Sequence, residues 1–364
     1  MTRREFTQSL AGAGVALALD TPVAAGASAA PLPESTARSL PRWRGFNLLE
    51  KFDAPKSGPA PPFRESDFAL MEEWGFNFAR LPMSYRCWTP PDPARWREMD
   101  ETQLREIDQA IAFGKSHGVH INLNLHRLPG FCVNAPAEPL SLWKDALALE
   151  AAVHQWVQFA RRYRGIPNAR LSFNLLNEPQ DIPAATYERV IRTLVKEIRS
   201  VDPDRLMIAD GLHWARRPVP GLADLGIAQS LHGYDPYYLT HYRAGWPAGS
   251  ENKPLPTWPC RDKDGLWDVA RLRQEQIAPW RQIESQGVGV HVGEWGAYHF
   301  TPHDVTLAWM RNVLALWREA GWGWALWNLR GSFGPLNSGR KDVSYEARGD
   351  LKVDRAMLDL LRAG

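Results

Sequence analysis

The tripeptide Asn177-Glu178-Pro179 follows an apolar run, Leu171-Ser172-Phe173-Asn174-Leu175-Leu176. A second glutamate, Glu294, follows another, Val288-Gly289-Val290-His291-Val292-Gly293. Each carboxylate thus stands at the tip of a buried-type strand. An acid that protonates a leaving oxygen and a carboxylate that attacks, or activates water, are the two groups that glycoside hydrolysis needs. Other hydrolytic signatures are missing. No His-Glu-x-x-His occurs, no His-x-His follows a strand, and Gly-x-Ser-x-Gly is absent. No metal and no cofactor is therefore expected.

The elements that must hold these groups read as an alternation. Strand candidates are Arg44–Leu49, Phe76–Leu81, Val119–Leu125, Leu171–Leu176, Arg205–Ala209, Ile227–Leu231, Val288–Val292 and Trp322–Leu326. Most are continuous apolar runs, the pattern of parallel strands covered on both faces. Between them fall helical patterns over Ser66–Trp74, Glu101–His117, Ala146–Tyr163, Ala184–Ser200, Leu266–Ser285 and His303–Ala320, with a last one at Arg355–Arg362. Ser66 and Asp67 suit a cap for the first helix. Gly75, Gly118, Gly287 and Gly321 follow four of the helices, where a left-handed turn is wanted. The gap from Gly211 to Gly226 holds only a weak helix. Eight strands alternating with helices predict an α/β fold. The expected form is a single (β/α)8 TIM barrel, residues 42–364, with enlarged loops at the C-terminal face of the strands. A doubly wound sheet is disfavoured, because no Gly-x-Gly-x-x-Gly follows the first strand.

Active residues of such a barrel stand at the C-terminal strand ends. There the sequence offers Arg80, His126, Asn177-Glu178, His232-Gly233-Tyr234, Glu294 and Trp327, from strands two, three, four, six, seven and eight. This ordered set resembles glycoside hydrolase family five, the cellulase-like members of clan A. The resemblance runs from Gly45 to about Leu361. It implies a retaining double displacement with Glu178 as acid/base and Glu294 as nucleophile. Glu178 must hold a proton, which repulsion from an ionised Glu294 favours. Arg80 and Tyr234 would keep Glu294 ionised. Asn177 would bind the sugar 2-hydroxyl, His126 and His232 would bind hydroxyls or orient the glutamates, and Trp327 would lie under the sugar.

The substrate is an oligo- or polysaccharide on this reading, with β-1,4-glucan cut internally as the lead. Alternatives are β-mannan or xylan, an exo-acting β-glucosidase or β-1,3-glucanase, and, in a different class, a non-catalytic carbohydrate-binding barrel. Two loops, Asp235–Gly265 and Asn328–Asp350, exceed the roughly 12–15 residues usual for a plain connection. Possible subsite aromatics are Trp88, Trp143, Trp246, Trp258, Trp295 and Phe333, with Trp214 and Tyr298 beside them. Flat indoles stack on the apolar faces of pyranoses.

Composition adds bounds. The 364 residues are 44% hydrophobic and carry a formal net charge of +2, which indicates no nucleic-acid or polybasic membrane partner. A monomer is expected. Residues 1–29 read as a twin-arginine signal: Thr2-Arg3-Arg4-Glu5-Phe6, then the short Leu10–Leu19 run, then Ala27-Ser28-Ala29. This predicts export to the periplasm or beyond, with residues 30–41 as a linker and no membrane contact after cleavage. Cys87, Cys132 and Cys260 do not form a disulfide framework, and free thiols are the favoured reading over a Cys87–Cys132 bridge.

Overall fold

The computed structural model describes residues 32–246, 253–263 and 265–364. The signal pattern of residues 1–29 lies outside them. Eight parallel strands close into a barrel. They are β1 (Arg44–Asn47), β2 (Phe78–Ser84), β3 (His120–Arg127), β4 (Leu171–Asn174), β5 (Met207–Asp210), β6 (Ala228–Gly233), β7 (Val290–Trp295) and β8 (Trp324–Leu326). Each pairs with its sequence neighbours, and β8 pairs with β1 to complete the ring. Closure at β1 requires a glycine: a Cβ on Gly45 would sit 1.7 Å from the Phe78 carbonyl oxygen.

Helices α1 (Glu65–Glu73), α2 (Glu101–Ser116), α3 (Ala146–Arg162) and α4 (Ala184–Arg199) follow the first four strands. After β5 there are only short turns, as the weak pattern there predicted. Helix α5 spans 269–284 after β6. Its middle, Arg273–Ile277, is a π turn, and it lies just ahead of Pro279. Proline has no N–H for the regular ladder, so the helix is disturbed where the sequence demands it. Leu266, expected in this helix, lies instead in a small hairpin, Cys260–Asp262 with Gly265–Trp267. Helices α6 (His303–Ala320) and α7 (Arg355–Ala363) complete the ring. Each helix seals a barrel face with an apolar stripe; α4 buries Tyr187, Val190, Ile191, Leu194, Val195 and Ile198. Burial of each such side chain contributes about 1.5–3 kcal/mol.

Three details depart from the sequence expectation. Strand β2 runs through Pro82 rather than ending at Leu81. Residues two apart in a strand turn their backbone polar groups the same way, so the Pro82 nitrogen, like the backbone of Arg80, points in the sheet toward β1. The Arg80 carbonyl is met there by the amide of Leu48, just past the end of β1, so no ladder bond is lost at Pro82. Ser66 and Asp67 do not cap α1, which starts at Glu65; Asp67 is buried in an ion pair with Arg330. The segment expected as a linker lies, from Ser35 on, against the N-terminal base of the barrel. Ser35 Oγ donates to the Asn168 carbonyl at 2.7 Å, and the Gly289 amide donates to Ala37 at 2.7 Å. Ala37 and Leu40 pack on a cluster of Trp43, Phe78, Leu206 and Ala325. Trp43 stacks on His120 at 3.8 Å, and His291 lies 4.5 Å from Phe78. All three cysteines are unpaired; the Cys87 thiol donates to the Lys51 carbonyl.

Candidate active site

The opposite face gathers the strand-end residues. Glu178 lies four residues past the end of β4, and Glu294 lies within β7. Gly293 makes room beside it, since a Cβ there would meet Ser230 Oγ at 2.4 Å and His232 Nε2 at 3.2 Å. Glu178, His232 and Glu294 each offer an atom, all within 4.8 Å of one another. That separation suits direct attack and falls short of the roughly 6.5–9.5 Å that an intervening water needs.

Glu294 is buried and accepts two hydrogen bonds, from Arg80 Nη1 at 2.6 Å and from the Tyr234 hydroxyl at 3.1 Å. Burial pushes its carboxyl up, His232 and Arg80 pull it down, and Glu178 pushes it up again, leaving a net upward shift. Arg80 is a hub: it also donates to Asn177 (2.7 Å), Asn174 (2.9 Å) and Asn47 (3.1 Å). Burial beside Glu294 raises the Tyr234 phenol far above its usual range, so it remains a donor.

Glu178 is half-buried and receives His232 Nδ1 at 2.7 Å. Its backbone has φ of 46°, a left-handed conformation uncommon for a residue with a side chain. His126 is buried against Asn177 and Asn134, with Nδ1 3.9 Å from Glu294. Burial, then the charges of Arg80 and His232, hold its imidazole neutral. Trp327 is half-buried, edge-on to Phe52 and tilted against His126, and its peptide bond to Asn328 is cis. All eight predicted strand-end residues therefore converge on one mouth.

The outlying aromatics do not all join them. Trp88 is buried and donates to Gln155, and Trp295 is buried among Trp309, Trp317 and Trp324. Side chains alternate across a strand, so Trp295 must face away from the mouth that its neighbour Glu294 faces. Phe333 is buried behind Tyr234, His241 and Trp246. Trp143 packs on Phe131 and Tyr187, and Trp258 donates to Asn312. Trp246 is 58% exposed, edge-on to Tyr298, and Trp214 is 37% exposed. A cavity of about 810 Å³ adjoins this side, lined by Arg216, Tyr237, His241 and Arg271 among others; neither glutamate lines it.

One residue central to the mouth escaped the sequence reading. Asp210 ends β5 and is fully buried. It faces His232 Nε2 at 3.2 Å, accepts from Asn174 Nδ2 at 2.9 Å and from the Glu178 amide at 3.1 Å, and lies 3.7 Å from Arg80. The fifth apolar run ends at Ala209, one residue short of the strand. The aspartate directly after it was the available signal. The Glu178, His232 and Glu294 atoms are also spaced as metal ligands could be.

Fold and mouth together define the class: a barrel glycoside hydrolase whose paired carboxyls have retaining separation. The sequence profile described as Cellulase (glycosyl hydrolase family 5) matches residues 39–332. The chain belongs to that family. A crystal structure described as a glycoside hydrolase is 36% identical, with a TM-score of 0.84 over 88% of this chain and 99% of its own. Endoglucanase C of Acetivibrio thermocellus is 24% identical over 307 residues, 78% of this chain and 88% of its own. Endoglucanase Cel5A of Thermotoga maritima shares the fold, at 22% identity and a TM-score of 0.69 over 88% of this chain and 96% of its own.

Proposed function

We propose that the chain is an exported endo-acting β-1,4-glucanase in which Glu178 is the acid/base and Glu294 the nucleophile. The observation that carries the assignment is the contrast between the two carboxyls. Glu294 is buried and held by Arg80 and Tyr234, while Glu178 is more open and held by His232. In the first step Glu294 forms a bond to the anomeric carbon as the glycosidic C–O bond breaks, and the Glu178 proton goes to the departing oxygen. In the second, Glu178 takes a proton from water, the water oxygen bonds to the anomeric carbon, and Glu294 leaves as a carboxylate. Arg80 and Tyr234 stabilise that carboxylate at both ends of the cycle. Asn177, fixed by Arg80 and His126, is positioned for the sugar 2-hydroxyl, and Trp327 forms the floor.

The names of relatives favour β-glucan: Endoglucanase C, and Cellodextrinase A of Ruminococcus flavefaciens, 22% identical over 71% of this chain and 76% of its own. Export rests on the N-terminal pattern alone. A 2-fluoro-cellobioside inactivator tests the roles: mass spectrometry of peptides is expected to find the adduct on Glu294, and an adduct on another carboxylate refutes them. Chromatography of products from β-glucan, mannan and xylan tests the substrate, with intermediate-length gluco-oligosaccharides expected.

A further inference from the structure

We infer that Asp210 is the positioning residue that keeps His232 a cation and so holds the catalytic cluster at constant charge through both steps. The inference rests on Glu178 being the acid/base. Asp210 reaches that glutamate by two routes. Its Oδ2 accepts the Glu178 amide at 3.1 Å, pinning the backbone in its left-handed turn. A side-chain residue at such a φ persists only when its surroundings over-determine it. The same oxygen faces His232 Nε2 at 3.2 Å, while Nδ1 on the far side of the ring is 2.7 Å from Glu178 Oε1. Asp210 thus fixes both the main chain and, through the imidazole, the carboxyl of the acid.

The groups around His232 set its charge. Glu178, Asp210 and Glu294 face its nitrogens at 2.7, 3.2 and 3.6 Å. Tyr234 lies edge-on to the ring, and the cation Arg80 and the neutral His126 lie beyond. Nε2 faces the anion Asp210, and Nδ1 lies between Glu178 and the anion Glu294, so a ring with hydrogen on both nitrogens presents a donor toward each anion. Burial alone would strip the proton, but Glu294 and Asp210 outweigh it and lift His232 to about 10. Asp210 answers in kind: burial raises it, but His232 and Arg80 bring it down to about 2.

Charge balance explains what this achieves. Before the reaction Glu294 and Asp210 are anions, Arg80 and His232 are cations, and Glu178 carries the proton. In the glycosyl-enzyme, Glu294 is an ester and Glu178 has become the second anion. The buried cluster is neutral in both states, so the proton leaves Glu178 without creating a net charge in a poorly solvated site. Without Asp210, either an unbalanced cation remains or His232 gives up its proton. Loss of the nearer positive charge then makes Glu178 a weaker acid.

Histidine side-chain NMR of the full-length protein, with pH profiles, tests this. In wild type, both His232 ring nitrogens should stay protonated up to about pH 9. Loss of either proton below pH 8 overturns the inference and needs no variant. In Asp210→Asn, which keeps the shape, His232 should titrate below pH 8. The alkaline limb of kcat/KM should move up, and kcat at pH 6 should fall about 10- to 100-fold, the equivalent of one to two pKa units. Asp210→Glu should restore part of the limb. An Asp210→Asn enzyme with wild-type limbs and only a pH-independent loss has lost scaffolding alone, which refutes the role. The NMR result does not depend on which carboxyl the inactivator labels, so failure here and failure of the catalytic assignment are distinguishable.

Discussion

Replacing Arg80 by methionine tests the electrostatics of the mouth. Methionine fills similar space and carries no charge. The substitution removes a 2.6 Å ion pair with Glu294 and the contacts to Asn47, Asn174 and Asn177. After His232, Arg80 is the main group opposing the upward push of burial on Glu294. Loss of such a neighbour raises a carboxyl by about one to three pKa units. Each unit is worth about 1.4 kcal/mol, so kcat/KM below the new limb should fall about 10- to 1000-fold and recover as pH rises. Because the nucleophile must be ionised, the acidic limb moves upward. Breaking one side of a buried pair also costs about 3–5 kcal/mol of stability, which for a chain this long lowers Tm by about 4–7 °C. The assay is the pH profile of kcat/KM on 2,4-dinitrophenyl β-cellobioside, whose leaving group asks little of the acid. Arg80→Lys, which keeps the charge but loses the fork, should recover part of the shift. An acidic limb unmoved in folded Arg80→Met enzyme would refute the assignment of Arg80 as the partner that keeps Glu294 ionised.

Glu178→Gln should spare the first step on dinitrophenyl glycosides while reducing turnover of natural glucan by more than about 100-fold, within the usual range for a general acid; equal losses on both substrates contradict the role. The base of the barrel predicts acid sensitivity. Burial, with the repulsion of nearby cations, holds His120 and His291 down at about 3. Unfolded, they titrate near 6.5, so the unfolded chain binds more protons between about 6.5 and 3, and each histidine removes up to about 1.4 kcal/mol per pH unit as pH falls through that window. His232, lifted to about 10, does the reverse: its stabilisation is complete below about 6.5 and is lost as pH rises toward 10. Urea midpoints across pH 4.5–9.5 should trace a dome, and a flat acid side contradicts the base contribution. Trp246→Ala, which removes a 58% exposed ring, should raise KM on long glucans several-fold with no change in Tm, whereas Trp295→Ala should cost about 3–5 kcal/mol. Equal Tm values for the two variants would contradict this division.

Much of the fold could be read because β and helical patterns agree with turn chemistry. Gly75, Gly118, Gly287 and Gly321 all take the left-handed φ their positions implied. The mouth was readable for a simpler reason, since strand ends are marked by where an apolar run stops. The misses share a cause too. Pro82 hid the last turn of β2 because a proline is tolerated only where the neighbouring strand has already ended, a tertiary fact. Asp210 is hidden because the apolar run stops at Ala209 while the strand goes on one residue further. Trp88 and Phe333 follow strands, as subsite residues would, yet are buried, and loop residue types give no side-chain direction; Trp295 ends β7, where alternation with Glu294 already turns it from the mouth. The hairpin that displaced the start of α5 is built from a segment whose apolar spacing fits either structure.

The base of the barrel also gathers the first described residues and the last residue of the chain. Ser35 and Ala37 are tied down there, and Arg44, at the start of β1, donates from its guanidinium to the carbonyl of Gly364 at 2.8 Å. Ser35, Ala37 and Gly364 thus lie on the face opposite Glu178 and Glu294. A tether, carrier or fused module joined just ahead of Ser35 or at Gly364 would hold the protein by its underside, with the mouth facing outward and free to meet an insoluble chain.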